Sequence, residues 1–310
     1  MSLSPPPKSV MTLPRPFTDP DAAVAHLIKI YARGRSLLEE HFHKFCNGEQ
    51  NLQKADACYP YLWIDVQDVI IGDGGALSYG SVRQPGCFGV TVTNPELFKS
   101  YYLEQIGLLM DNHKVPVWVG VSHRQIPLTF ALENLIADLH QEQVASLPQK
   151  FHLPDLANID DNVVNGVFRA KPGELRPLSL FSAERVDYSL SRLRHYTGTH
   201  PDHFQRFVLF TNYQRYVDEF IEFGRHEIEN GDTFRAFVEP GNAVSTNRRL
   251  TEVPASGERA EKLPQMPAYH LVADGHMGVT LVNIGVGPSN AKTITDHLAV
   301  LRPHCWVMVG

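Results

Sequence analysis

The sequence predicts a mixed α/β protein, an α+β first part followed by an α/β second part, and three observations carry that reading. Along the first part, apolar residues alternate between helical spacing and strict strand alternation. In the second part a strand, a helix, a strand pair, a helix and a last strand follow one another. Within it, the stretch LVNIGVGPSNAKT (281–293) runs from a buried-type strand through a glycine-rich turn into a helix.

The proline-rich start, up to about Thr18, reads as irregular. Residues 20–46 read as a long helix, because Val24, Leu27, Ile28, Tyr31, Leu38, Phe42 and Phe45 recur mostly at spacings of three and four. Asp19 as N-cap with Pro20 at the first helical position supplies its start. Leu62, Ile64 and Val66 alternate with Trp63, Asp65 and Gln67, which predicts a strand. Residues 72–75 form a turn, residues 88–93 a second strand and residues 96–110 a helix. A short strand at 115–121 and a helix at 128–139 follow. Residues 148–177, with Asp160-Asp161-Asn162 and Lys171-Pro172-Gly173, read as loop.

The second part opens with a helix at 182–194, capped by Ser182 and striped by Val186, Leu190 and Leu193. FVLF (207–210) is a buried-type strand and 216–228 a helix. Residues 240–267 carry prolines and no period, and read as a loop or insertion. Residues 270–273 and 278–283 flank Asp274-Gly275, a hairpin signal. A helix at 289–301 and a buried strand at 305–309 close the chain.

A length of 310 residues suits about two domains, placed at 1–177 and 178–310. A net charge of −6 gives no basic footprint for nucleic acid. Cys46, Cys58, Cys87 and Cys305 form no C-x-x-C pair, which argues against a disulfide framework or a zinc knuckle. His41 and His43, two apart on a helix, point in different directions, so they make a poor metal pair. The start has prolines where a signal peptide needs an apolar run, and no stretch is long and apolar enough to span a bilayer, so a cytoplasmic protein is expected.

Three segments carry chemistry. In 281–293, Gly285 and Gly287 allow close backbone approach to a ligand, and the helix start offers free N–H groups that suit phosphate or a sugar hydroxyl. Ser289 and Asn290 add side-chain donors and acceptors. The turn is no dinucleotide fingerprint, since Asn290 stands where the third glycine belongs, and no Walker A loop, since Ala291 precedes Lys292. An ordinary strand-to-helix turn capped by Ser289 remains the bland alternative. In FVLFTNYQRYVDEF (207–220), Arg215 follows a strand end and opens a helix, where it can hold phosphate bidentately. A surface pair with Asp218 or Glu219 would also explain it. In RLRHYTGT (192–199), Arg192, Arg194 and His195 either gather at a site or complement a helix C-terminus.

The stretches 186–220 and 281–310 closely resemble AMP nucleosidases, and TVTNPELFKSYYLEQI (91–106) resembles their N-terminal region more loosely. The resemblance implies a nucleoside phosphorylase-like fold for the second part and hydrolysis of AMP to adenine and ribose 5-phosphate. It implies phosphate contact by Arg215, a ribose or phosphate loop at Gly285 to Asn290, and His195 reaching a neighbouring subunit's site. It also implies activation by ATP with magnesium, inhibition by phosphate, a homohexamer and a regulatory N-terminal domain, with Arg176, Arg185, Arg192 and Arg194 at the junction as candidates for coupling. Met308 stands where phosphorylases of this fold often carry an Arg before a Val-Gly step, which fits water as nucleophile or simply a core residue. The family's Cys-Gly-Gly-type loop and catalytic carboxylates are expected downstream of Gly310. A nucleoside phosphorylase and a non-catalytic nucleotide-binding fragment are the competing readings.

Overall fold

The computed structural model describes residues 12, 14–49, 51–68, 80–132, 139–159, 161–170 and 175–310. The turn expected at 72–75, the Lys171-Pro172-Gly173 segment, Asp160 and most of the proline-rich start lie outside them. The chain divides into two compact units, Met1–Asp187 and Tyr188–Gly310.

The first unit is α+β. Strand β1 (Arg15–Phe17) precedes helix α1 (Pro20–Cys46), strands β2 (Cys58–Val66) and β3 (Gly86–Thr91), helix α2 (Lys99–His113) and strand β4 (Val117–Gln125). Short helix α3 (Leu128–Ala131), helix α4 (Gln141–Lys150) and strand β5 (Arg176–Pro177) complete it. The sheet runs β1-β4-β2-β3-β5, with only the β3–β5 pair parallel. Asp19 caps α1 as expected: its Oδ2 accepts from the Ala22 N–H at 2.9 Å, with Pro20 at the first position. Val24 and Leu27 of α1 meet Ile106 and Leu109 of α2 over Leu62, Ile64 and Val66 of β2. The alternation in β2 thus selects the face that the helices cover.

Three expectations change here. Arg15–Phe17 is not irregular, because it pairs antiparallel with Val117–Val119 of β4; such a short edge strand is made by its partner. The helix expected at 128–139 is observed as Leu128–Ala131, with 133–138 outside the described residues. The loop expected from 148 onward contains the end of α4, which carries Pro148 in its last turn, and β5, which forms only by pairing with Phe88 and Gly89.

The second unit is a three-layer α/β/α sandwich. Helix α5 (Ala183–Thr197) leads into it, followed by β6 (Phe207–Thr211), α6 (Gln214–Asn230), the hairpin β7 (Ala236–Glu239) and β8 (Ala243–Thr246), then β9 (Ala268–Val272), β10 (Val279–Asn283), α7 (Pro288–Leu298) and β11 (Cys305–Met308). The sheet order is β11-β6-β10-β9-β7-β8, with β6, β10 and β11 parallel. Alternate residues of the strands divide the layers. Val208, Phe210 and Val282 pack with Leu193 of α5 and Ile294 and Leu298 of α7. Leu209, Leu281 and Leu271 pack on the other side with Val217 and Ile228 of α6. Gly224 lies where α6 crosses Phe237, and an added Cβ would stand 2.7 Å from that ring.

Ser182 caps α5 as expected, accepting from the Arg185 N–H at 3.2 Å, and β9 and β10 form the expected antiparallel pair around the 274–276 turn. The segment read as a loop at 240–267 instead contains β8, turned against β7 by Gly241 and Asn242, both at positive φ. The last strand, expected to be buried, is an exposed edge, with Trp306, Val307 and Met308 at 44%, 46% and 57% exposure. The reason is that β6 pairs with it on one side and no described strand does so on the other.

Candidate functional site: the carboxyl edge of the second sheet

Strands β6 and β10 are adjacent and parallel, and their last residues Thr211 and Asn283 are register partners. From Thr211 the chain turns into α6 on one face of the sheet. From Asn283 it turns into α7 on the other. Diverging connections from neighbouring parallel strands leave a crevice beyond their carboxyl ends, the usual ligand position in open α/β sheets. Arg215 and the 285–290 loop both border this edge.

The glycine loop needs its glycines. Gly285 has φ +59° and Gly287 +110°, both in the left-handed region that side chains avoid. Between them Val286 is 91% exposed, so the loop is not shaped by burial of its own apolar residue. Asn283 and Asn290 hold it instead. Asn283 Oδ1 accepts from the Gly285 N–H at 3.0 Å, and Asn290 Nδ2 donates to the Ile284 carbonyl at 2.9 Å. Asn290 Oδ1 also accepts from Gln265 Nε2 at 3.1 Å. Ser289 is not the helix cap: Gly287 occupies the N-cap position, Pro288 follows it, and no side chain caps α7. The Ser289 side chain is exposed.

Helix α6 also begins without a side-chain cap, at Tyr213. Two uncapped helix starts therefore border one crevice, and each presents free N–H groups and the positive end of a dipole. Arg215 is the second residue of α6 and exposed. The surface pair with Asp218 or Glu219 is not formed; Asp218 accepts from Gln214 Nε2 at 2.8 Å instead, and Arg215 makes no ion pair among the described residues. The crevice thus has positive character without a protein counter-ion on its guanidinium.

His195 belongs to a different helix. It lies exposed in the last turn of α5, edge-on to Tyr196 at 5.3 Å. Just beyond that helix, the Thr199 hydroxyl meets His270 Nε2 at 2.9 Å, and His270 is level with Thr280 near the start of β10. One residue after His195, the Tyr196 carbonyl accepts from the Met266 N–H at 2.9 Å, and the adjacent Gln265 is the residue that donates to Asn290, so this helix end lies beside the segment that supports the 285–290 loop. Of the four junction arginines, Arg185 pairs with Asp161 at 2.8 Å and Arg176 donates to Gln84 and the Pro85 carbonyl. Arg192 lies over the Tyr196 ring and donates to its hydroxyl.

Sequence reasoning missed two groups. Asn283 and Gln214 organise the crevice, and the one available signal was an Asn directly between an apolar strand and a glycine turn. In the first unit, Asp187 is fully buried. Its carboxylate accepts from Tyr59 Oη at 2.6 Å, Thr93 Oγ1 at 2.7 Å and Asn94 Nδ2 at 3.2 Å. Burial pushes its pKa up to about 7 against the pull of those bonds. Its place within the apolar stripe Val186, Leu190 and Leu193 was the signal.

These features define an α/β protein whose crevice lies at the carboxyl ends of parallel strands. The family model describing the N-terminus of bacterial AMP nucleoside phosphorylase matches residues 22–175. The AMP nucleosidases of Escherichia coli strain K12 and of Escherichia coli O157:H7 are each 43% identical over 254 residues, covering 81% of this chain and 52% of theirs. Over these spans the chain is similar to AMP nucleosidases, and it spans about half the length of the curated relatives it matches. A crystal structure of AMP nucleosidase from Bacteroides thetaiotaomicron VPI-5482 aligns at 23% identity and a TM-score of 0.26, over 40% of this chain and 38% of that one. No helix among the described residues is long and apolar enough to cross a membrane.

Proposed function

We propose that the chain forms part of an enzyme that hydrolyses the N-glycosidic bond of AMP to adenine and ribose 5-phosphate, in purine nucleotide metabolism. The observation that carries this reading is the crevice where Arg215 and two uncapped helix starts border the same sheet edge. A phosphorylated sugar matches it: a guanidinium and free amides for the phosphate, and glycine backbone close enough for sugar hydroxyls.

In this reading Arg215 and the amides at Gly285 and Gly287 bind phosphate or ribose. Ser289 adds a hydroxyl, and Asn290 fixes the loop. His195, exposed at the end of α5, serves a neighbouring copy in a homohexamer. Cleavage passes through an oxocarbenium-like ribosyl group, and an acid must protonate the leaving adenine. In this reading the residues named here bind and orient the substrate. The first unit is the regulatory part, with ATP and magnesium as activator and phosphate as inhibitor. The protein works in the cytoplasm.

The matching family model is described as a phosphorylase, so phosphate as the nucleophile is the second reading. Adenine release from AMP, measured with and without phosphate and with and without ATP, separates the two. The assay takes both this chain and a form of the relatives' length. Ribose 5-phosphate formed without phosphate supports hydrolysis. A phosphate requirement, with ribose 1-phosphate-type product, supports phosphorolysis. No adenine from the longer form refutes both.

A further inference from the structure

A cavity of about 380 Å³ lies in the first unit between the end of β4 and the 151–159 loop, and the crevice described above makes no use of it. Glu184 forms part of its wall. This side chain, at the start of α5, is only 6% exposed. Its Oε2 accepts from the Thr91 hydroxyl over a long 3.3 Å. Its Oε1 lies 3.7 Å from Arg124 Nε, an ion-pair distance but too long for a hydrogen bond. The Arg124 side chain is itself more than half exposed. The Ser182 side chain and the Glu184 backbone also bond to this carboxylate, yet burial outweighs all these contacts and shifts its pKa upward, so the ionised form is costly to keep.

The other groups decide which charge the cavity favours. Arg124 brings one positive charge, while Glu184 and Asp155 bring two negative ones. His152 adds none near neutral pH, because burial and, secondarily, Lys54 hold its pKa down. An anion would meet two carboxylates for one guanidinium. A cation would relieve the desolvated Glu184, and Phe130 supplies an aromatic surface that tolerates both a cation and hydrocarbon.

We propose that this cavity binds a small organic cation, a molecule carrying an ammonium or amidinium group, with Glu184 as its buried counter-ion and Asp155 as a second carboxylate on the wall. The site is independent of the phosphate-type crevice in the second unit and opposite to it in charge preference. Its volume suits a ligand of a few to a dozen heavy atoms rather than a macromolecule.

Calorimetric titration of the whole chain with putrescine, agmatine and benzamidine tests it, with inorganic phosphate and ATP as anionic counterparts. At least one of the three cations binds saturably, and Glu184→Gln weakens that binding by at least about tenfold, the loss of a charge-assisted contact. Asp155→Asn weakens it by a smaller factor. That exposed side chain retains the oxygen that accepts from the Ala157 N–H at 2.9 Å, so this variant keeps the loop intact if Glu184→Gln fails to fold. No saturable binding of any cation at millimolar concentration overturns the proposal. So does cation binding unchanged in both variants, and so does phosphate or ATP binding that Glu184→Gln strengthens while the cations stay inert.

Discussion

Asn283 Nδ2 donates to Gln214 Oε1 at 3.3 Å, while the same side chain's Oδ1 accepts from the Gly285 N–H. One amide thus joins the glycine loop after β10 to the first residue of α6, directly beside Arg215. The two loops bordering the crevice are coupled through it, and Gln214 passes the restraint on to Asp218.

Replacing Asn283 by Ala removes both bonds. A net hydrogen bond contributes about 1 kcal/mol, so exchange of the Gly285 amide should quicken about fivefold or more, read by NMR hydrogen exchange. Asn283→Asp keeps the acceptor and should restore most of the protection. Equal exchange in all three proteins would show that the loop is held by its glycine conformations alone.

Arg215→Ala should weaken AMP binding or turnover by at least about tenfold in the longer enzyme, because a charge-assisted bond is worth about 1.5–3 kcal/mol. The guanidinium carries no ion pair among the described residues, so its removal should leave the melting temperature almost unchanged. Kinetics identical to those of the unaltered enzyme would remove Arg215 from the phosphate role.

Asp187 makes the first unit sensitive to pH. Its pKa is about 7 when folded, above the ordinary carboxylate value. Folding therefore favours the protonated form. The resulting stabilisation is complete below the unfolded value near 4 and is lost as pH rises towards 7, at about 1.4 kcal/mol for each pH unit. Asp187→Asn should flatten that loss. Urea unfolding of the first unit, followed through the stacked pair Trp63 and Trp118, should show the two proteins diverging between pH 4 and 7. Parallel curves would mean that Tyr59, Thr93 and Asn94 keep the carboxylate ionised throughout.

His270 gives the second unit the reverse dependence. It is fully buried between the Thr280 and Thr199 hydroxyls, each 2.9 Å from a ring nitrogen, and burial holds its pKa well below the usual 6.5. A depressed base contributes stability above its unfolded pKa and loses it as pH falls below about 6.5. Acidification from pH 7 to 5 should destabilise this unit, monitored through Trp306, and His270→Gln should reduce the slope. A pH-independent midpoint over that range would contradict a neutral buried imidazole.

The sequence by itself determined the regular elements with strong periodicity. Val24, Leu27 and Leu38 place α1, and the alternation of Leu62, Ile64 and Val66 places β2, since burial on one face writes its period directly into the chain. It also marked Arg215 and the 285–290 loop, because glycines at positive φ and an arginine after a strand leave local signatures. Tertiary structure decided the rest. Arg15–Phe17 and Arg176–Pro177 become strands only through their partners, and Trp306 to Met308 prove exposed because no described strand covers that edge. Asn283 meets Gln214, and Glu184 and Asp187 lose their water, through packing between residues distant in sequence; a local pattern holds no record of which neighbours fold against it.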